Sequence, residues 1–142
     1  MGYTSKPVMF AGADATDRGI LHYAQREAGT SLDLIFVRNT AEAIAYLSED
    51  RFADRHRYPL PAIIVTDLLK PRMNWCELVE WLKSRPELDH IQLCFIGDED
   101  DQATVRKAQS HGPCFFTKPE DLASYKKLVL CLSANKGVHA LH

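Results

Sequence analysis

The chain has 142 residues, of which 46% are hydrophobic and 25% are charged, as in an ordinary single globular domain. Its formal net charge of −2 gives no electrostatic reason to expect nucleic acid as a partner. No apolar stretch approaches the roughly 18 residues that a membrane span needs, and the first residues lack the apolar core of a signal peptide. Four widely spaced cysteines without a C-x-x-C pair predict structural thiols in a reduced, cytoplasmic protein; they are Cys76, Cys94, Cys114 and Cys131.

Short apolar segments alternate with amphipathic stretches along most of the chain. The apolar segments are rich in β-branched residues, which is typical of strands buried in a parallel sheet. The stretches between them carry apolar residues at helical spacing. In chain order, strands are predicted at 7–11, 32–37, 62–66, 91–96 and 113–117, and helices at about 15–28, 40–47, 74–83, 103–108 and 122–132.

Local signals mark where several of these elements begin or end. Gly29 stops the first helix, Asn39 caps the second, and Pro86 follows the end of the third. The polar segment 48–60 is predicted to be an exposed loop or an extended helix end. Five repeats of strand then helix predict one doubly wound α/β domain, with helices on both faces of a parallel sheet and right-handed crossovers.

Asp67 is the strongest candidate for a reactive side chain. It directly follows the apolar run 62–66 and therefore stands at the C-terminal end of the third strand. In open α/β sheets this edge is where ligands bind. Lys118 follows the fifth strand and Asp14 follows the first, so both are predicted at the same edge of the sheet.

These features together resemble the receiver domain of bacterial response regulators. The resemblance rests on the order of elements, on Asp67 followed by Pro71 and Met73, and on Lys118 with a proline after it. The segment 58–61, Tyr-Pro-Leu-Pro, resembles stand-alone receivers similar to the cyanobacterial-phytochrome response regulator. The resemblance implies a flavodoxin-like receiver fold with strand order 2-1-3-4-5, a receiver domain at residues 7–133 and a C-terminal tail at 134–142.

The resemblance also implies a function for the sheet edge. Asp67 matches the aspartate that accepts a phosphoryl group from a histidine kinase, and Lys118 matches the lysine that contacts that group. The family binds Mg²⁺ beside the acceptor, and the matching ligands here are Asp14, Asp67 and the backbone carbonyl of Leu69. A divalent cation and a lysine both offset the negative charge that gathers on the phosphoryl oxygens.

Several positions depart from the family pattern. The first member of the acidic pair falls on Ala13, and a second possible register places the pair on Gly12 and Ala13, which removes both carboxylates. The switch hydroxyl after the fourth strand falls on Gly97, and the toggling aromatic falls on Phe115. A lost charge-assisted hydrogen bond corresponds to about 1.5–3 kcal/mol. We therefore expect a weakened Mg²⁺ site and a weak conformational response to phosphorylation.

Two functions fit this pattern. One is a phosphoacceptor in a two-component relay, whose partner is a histidine kinase or phosphorelay protein. Homodimer formation is common among the stand-alone receivers that the chain resembles. Such a phosphoacceptor is a signalling domain with at most self-catalysed phosphotransfer and dephosphorylation. The other is a phosphorylation-independent interaction module, in which Lys118 simply pairs with Asp67 and Asp14 caps the first helix ahead of Asp17. A flavodoxin-like cofactor site is not supported, because residues 12–16 do not form a phosphate-binding loop.

Overall fold

The structure is a computed structural model that describes residues 5–134. It consists of a central parallel sheet with helices on both faces. The predicted α/β class and strand order 2-1-3-4-5 are confirmed. The strands are β1 (Pro7–Ala11), β2 (Asp33–Val37), β3 (Ile63–Asp67), β4 (Gln92–Gly97) and β5 (Cys114–Thr117). The helices are α1 (Ala15–Ala28), α2 (Thr40–Ser48), α3 (Trp75–Lys83), α4 (Gln102–Gln109) and α5 (Leu122–Ala134), with short 3-10 turns at Asp50–Phe52 and Pro86–Leu88.

The alternating side chains of the central strands divide the core into two layers. Phe10 and Val65 face the layer covered by α1 and α5, while Met9 and Ile64 face the layer covered by α2 and α3. All five residues of β3 are buried, which explains why this strand reads as a continuous apolar run rather than an alternating one.

A side-chain cap begins each of the five helices. Asp14 precedes α1 and accepts a hydrogen bond from the backbone N–H of Asp17, whose own carboxylate accepts from the N–H of Asp14. This reciprocal arrangement satisfies two backbone donors that a helix start otherwise leaves unpaired. Gly29 ends α1 with φ of 73°, a conformation that favours glycine. The remaining side-chain caps are Asn39 for α2, Asn74 for α3, Asp101 for α4 and Asp121 for α5.

The prediction of reduced thiols is wrong for two of the four cysteines. Cys94 on β4 lies directly opposite Cys114 on β5, and the two form a disulfide. Both side chains are fully buried in the layer beneath α5. The pairing depends on the register of two strands 20 residues apart in sequence, and cysteine spacing alone does not reveal it. Cys76 and Cys131 are free.

The segment between α2 and β3 is more ordered than the predicted exposed loop. Arg55 donates hydrogen bonds to the backbone carbonyls of Tyr46, Leu47 and Tyr58, at 3.1, 3.1 and 3.2 Å. The rings of Tyr46, Phe52 and Tyr58 pack against one another with centroids 5.1–6.2 Å apart. One guanidinium and three aromatic rings thus hold this connection against α2.

Three further findings complete the fold. Within residues 5–134 no helix is long and apolar enough to cross a membrane. Every peptide bond in that range is trans, including the one between Lys118 and Pro119. The predicted tail at 134–142 lies outside the described residues apart from Ala134, which ends α5.

Candidate functional site at the carboxyl edge of the sheet

Asp67 and Lys118 meet at the carboxyl edge of the sheet. Asp67 is the last residue of β3, and its side chain is only 10% exposed. The Nζ of Lys118 donates to Asp67 Oδ2 at 2.5 Å, and the backbone N–H of Leu69 donates to Oδ1 at 2.9 Å. The backbone of Lys118 is fixed to β4 through its N–H, which donates to the carbonyl of Gly97 at 2.9 Å. Both oxygens of the candidate acceptor therefore have defined partners.

A second carboxylate and a second lysine lie beside this pair. Asp17, in the first turn of α1, places Oδ1 4.0 Å from Lys118 Nζ, and its side chain is 14% exposed. Lys70 Nζ lies 2.8 Å from Asp17 Oδ2 and 3.1 Å from Asp14 Oδ2. The sheet edge is thus a chain of alternating charges in which Asp17 connects the two lysines.

A small cavity opens between the sheet edge and the start of α5. The carboxylates of Asp67 and Asp17 line it together with Lys118, and apolar residues close its other sides. Those residues include Ala13, Ile96 and Tyr125. A cavity with converging charges and apolar walls at a strand-end edge is the expected form of a ligand site in an α/β domain.

The ionisation of Asp14 and Lys70 follows from their contacts. The backbone N–H of Asp17 and the ammonium of Lys70 lower the pKa of Asp14 to about 2. Burial alone would lower the pKa of Lys70, but the hydrogen bonds from its ammonium to Asp17 and Asp14 outweigh that effect and raise it. Both groups are therefore charged over the whole physiological pH range.

Sequence and structure comparisons find response regulators among the proteins similar to this chain. No family model matches the chain. The response regulator Rcp1 of Synechocystis is 23% identical over 127 residues, which cover 87% of this chain and 84% of Rcp1. The solved structure of RPA3017, a response regulator in red light signaling of R. palustris, superposes with a TM-score of 0.80 at 28% identity, covering 89% of this chain and 90% of that one. The chain has the receiver fold of response regulators and is similar in sequence to members of that family. Its resemblance to the phytochrome-associated, stand-alone type is confirmed.

Other solved structures match this receiver in fold. The phosphorylated cyanobacterial phytochrome response regulator RcpA superposes with a TM-score of 0.70 at 24% identity, over 91% of both chains. The Mn²⁺-bound form of Rcp1 superposes with a TM-score of 0.69 at 19% identity, over 95% of this chain and 99% of that one. Relatives of the same fold have thus been seen carrying a phosphoryl group or a divalent cation.

The predicted metal ligands of this receiver do not converge as the resemblance implies. Asp14 is the N-cap of α1, its side chain is 61% exposed, and its Oδ2 faces Lys70. Since Ala11 pairs with Thr66, Gly12 stands level with Asp67, and Ala13 follows it as a buried residue. This geometry favours the second register, in which Gly12 and Ala13 replace the acidic pair.

The part of the chain that the structure describes contains no group of three or more His, Cys, Asp or Glu side chains arranged to hold a metal ion. Leu69 places an exposed side chain at the site, and its N–H already binds Asp67. Because Asp14 faces an ammonium and its two predecessors lack side-chain ligand atoms, the residues present do not fit a divalent cation in this arrangement.

Gly97 and Phe115, the predicted switch residues, pack directly against each other. A Cβ built on Gly97 would lie 3.1 Å from Leu68 Cδ1 and 3.3 Å from Phe115 Cε2, which is closer than side chains normally approach. Phe115 belongs to a cluster that includes Trp75 and Phe95. Ile96, the residue before Gly97, lines the cavity and also has no hydroxyl. The space beside a switch hydroxyl is therefore filled by apolar side chains.

Lys70 and Asp17 are the two site residues that the sequence reasoning missed. Lys70 follows Asp67 by three residues, and its backbone N–H donates to the Asp67 carbonyl at 3.4 Å in a turn. Asp17 follows Asp14 by three residues on α1. A lysine in the turn after the candidate acceptor, combined with a second acidic residue in the first turn of α1, is the signal that could have identified them.

Proposed function

We propose that this receiver accepts a phosphoryl group on Asp67 from a histidine kinase or phosphorelay protein. The observation that carries the proposal is the pairing of a buried strand-end carboxylate with the Lys118 ammonium at 2.5 Å. A phosphoryl group on Asp67 would carry negative charge next to this ammonium, which is already placed to offset it. The likeness to phytochrome response regulators makes a phytochrome-type histidine kinase the first donor to test.

The transfer itself is a displacement at phosphorus. An Asp67 carboxylate oxygen forms a bond to phosphorus while the bond from phosphorus to the donor group breaks, and the donor leaves with the bonding electron pair. Lys118 stabilises the charge that builds on the phosphoryl oxygens, and Leu69 N–H holds the other carboxylate oxygen in place. No proton has to leave Asp67, because a carboxylate is the nucleophile.

The proposal includes a weak conformational response, but it routes no step through the predicted weakened Mg²⁺ site. Of the predicted Mg²⁺ ligands Asp14, Asp67 and the Leu69 carbonyl, Asp14 is held by Lys70. Gly97 offers no hydroxyl to draw towards a phosphoryl oxygen, and Phe115 is packed against it. We infer that phosphorylation alters the charge of this edge more than its shape. Cytoplasmic location and homodimer formation are part of the same proposal.

The decisive experiment is phosphorylation by acetyl phosphate followed by intact-mass measurement. The wild-type protein should gain the mass of one phosphoryl group, and Asp67→Asn should gain none. Asp89→Asn is a matched control, because this aspartate is exposed and lies at the opposite, amino-terminal end of β4; it should behave as wild type. A folded wild-type protein that gains no mass, with or without Mg²⁺, would disprove phosphotransfer and leave the interaction-module function.

A further inference from the structure

Lys70 crosses the end of β1 at the one position where a side chain is absent. A Cβ built on Gly12 would lie 3.3 Å from Lys70 Cγ, 3.4 Å from Lys70 Cβ and 2.8 Å from Met73 Cγ. Gly12 also has φ of 97°, a left-handed conformation that other residues rarely adopt. The side chains of Met73 and Lys70 therefore occupy the space where an acidic side chain at position 12 would stand, and Met73 makes the closer approach.

The ammonium of Lys70 ends between two carboxylates. It lies 2.8 Å from Asp17 Oδ2 and 3.1 Å from Asp14 Oδ2, while its side chain is only 25% exposed. Its backbone is also fixed, since its N–H donates to the Asp67 carbonyl and its carbonyl accepts from Met73 N–H at 3.1 Å. Charge-assisted hydrogen bonds of this length are the stronger ones in proteins, and the turn limits where the ammonium can go.

The five charged groups of the site nearly balance without any bound ion. Asp14, Asp17 and Asp67 carry three negative charges, and the two lysines carry two positive charges. A divalent cation at Asp14 and Asp17 would have to displace an ammonium that already pairs with both. The cation would also lie close to the displaced Lys70 ammonium, and the two positive charges would repel each other.

We propose that Lys70 is the built-in cation of this receiver and excludes divalent metal ions from the Asp14 and Asp17 carboxylates. Gly12 makes this possible, because it leaves the path of the lysine stem open. The inference deepens the proposed function and rests on it for its meaning in signalling. Lys70 supplies positive charge beside Asp14 and Asp17, at the same sheet edge as the candidate acceptor, and this charge does not depend on metal concentration. Its physical content, the competition between an ammonium and a divalent cation, needs no phosphorylation.

Mn²⁺ binding to the phosphate-free full-length protein tests the proposal, measured by titration calorimetry and by the paramagnetic signal of free Mn²⁺. Lys70→Met removes the charge and keeps an unbranched stem, while Lys70→Ala removes both. Each should raise the affinity for Mn²⁺ at least about tenfold over wild type. Lys70→Arg keeps the charge and should bind Mn²⁺ as weakly as wild type. Lys83→Met, at the exposed end of α3, is the matched control and should also match wild type.

A second variant shows where any gained Mn²⁺ binds. Adding Asp17→Asn to Lys70→Met should abolish the gain, because Asp17 is the less exposed of the two carboxylates. Thermal melting confirms that each variant is folded. Equal Mn²⁺ affinity of wild type and folded Lys70→Met would overturn the proposal, as would a gain that persists without the Asp17 carboxylate. Since no phosphodonor is present, neither result bears on whether Asp67 is phosphorylated.

Discussion

The two halves of the carboxyl edge reach electrical balance in different ways. On the β3–β5 side, a strand-end aspartate meets a strand-end lysine, and both stand where the sheet itself places them. On the β1–α1 side, Gly12 and Ala13 offer no charge, and the first turn of α1 supplies two carboxylates that pair with a lysine from the loop after β3. The candidate acceptor half is conventional, whereas the half that would hold a metal is rebuilt around an ammonium.

Under the proposals above, the site keeps its candidate acceptor while a lysine takes the place of a metal ion as a source of positive charge. Asp67 and Lys118 depend on strand ends, which are rigid parts of the fold. Lys70 depends on a long side chain and on a neighbouring glycine. The first pair should therefore contribute more to stability than the second, and the following predictions test that ranking.

The largest expected effect concerns the strands behind the acceptor half. Reducing the disulfide between Cys94 and Cys114 should lower the free energy of unfolding by about 3 kcal/mol, because the bond closes a loop of moderate length in the unfolded chain. Urea unfolding with and without a reductant measures the difference. A variant in which Cys76 and Cys131 are both serine should show the same difference between reduced and unreduced protein, since these two cysteines are free. Four titratable thiols in the unreduced protein would contradict the pairing.

Lys118→Met should lower the free energy of unfolding by about 1–3 kcal/mol. The change leaves the Asp67 carboxylate, whose side chain is 10% exposed, without its ammonium partner. Chemical denaturation measures the loss. Adding Asp67→Asn should recover much of it, because the uncompensated charge is then gone; a double variant as unstable as the single one would show that lost packing, not charge, is responsible.

Gly97→Thr, which restores a hydroxyl to the predicted switch position, should lower the free energy of unfolding by about 1 kcal/mol. The new side chain meets Leu68 and Phe115 at distances below normal contact, and such overpacking is destabilising. Thermal unfolding measures the change. Leu68→Ala in the same chain should relieve the crowding, so the two substitutions together should cost less than the sum of their separate effects.

Lys70→Met should cost less than about 1 kcal/mol of stability. Of its two carboxylate partners, Asp14 is 61% exposed and Asp17 is 14% exposed, against 10% for Asp67, and partly exposed ion pairs contribute little. The comparison with Lys118→Met in the same denaturation experiment is the direct test of the difference between the two halves. If Lys70→Met were the more destabilising variant, the ranking proposed above would be reversed.

The smallest effect is a pH dependence at the rebuilt half. The pKa of Asp14 is about 2 in the folded protein, below its usual value of 3.8, so its ionised form stabilises the fold above about pH 4. That contribution is lost as the pH falls towards 2. Asp14→Asn should therefore flatten the dependence of stability on pH between 4 and 2, measured by thermal unfolding. An unchanged slope would show that Asp14 ionises freely.

The sequence predicted the fold well, because strand and helix periodicities are local properties. The proximity of Asp67 and Lys118 could also be predicted from the sequence, since a parallel sheet brings the ends of its strands to one edge. The position of the Lys70 ammonium could not be predicted, because it depends on the direction of a long side chain and on the free space over Gly12. The partner of Cys94 was likewise hidden, because it follows from the register of β4 and β5.

The hydrogen bonds of the Arg55 guanidinium should affect local unfolding of the segment between α2 and β3. Its three carbonyl partners join the end of α2 to the residues just before β3, so the intervening segment should release as one cooperative unit rather than fray residue by residue. A protease that cleaves this segment would then report a single opening equilibrium, set by one side chain far from the charged edge. We therefore expect a local unfolding unit whose stability can be adjusted without altering the charged edge of the sheet.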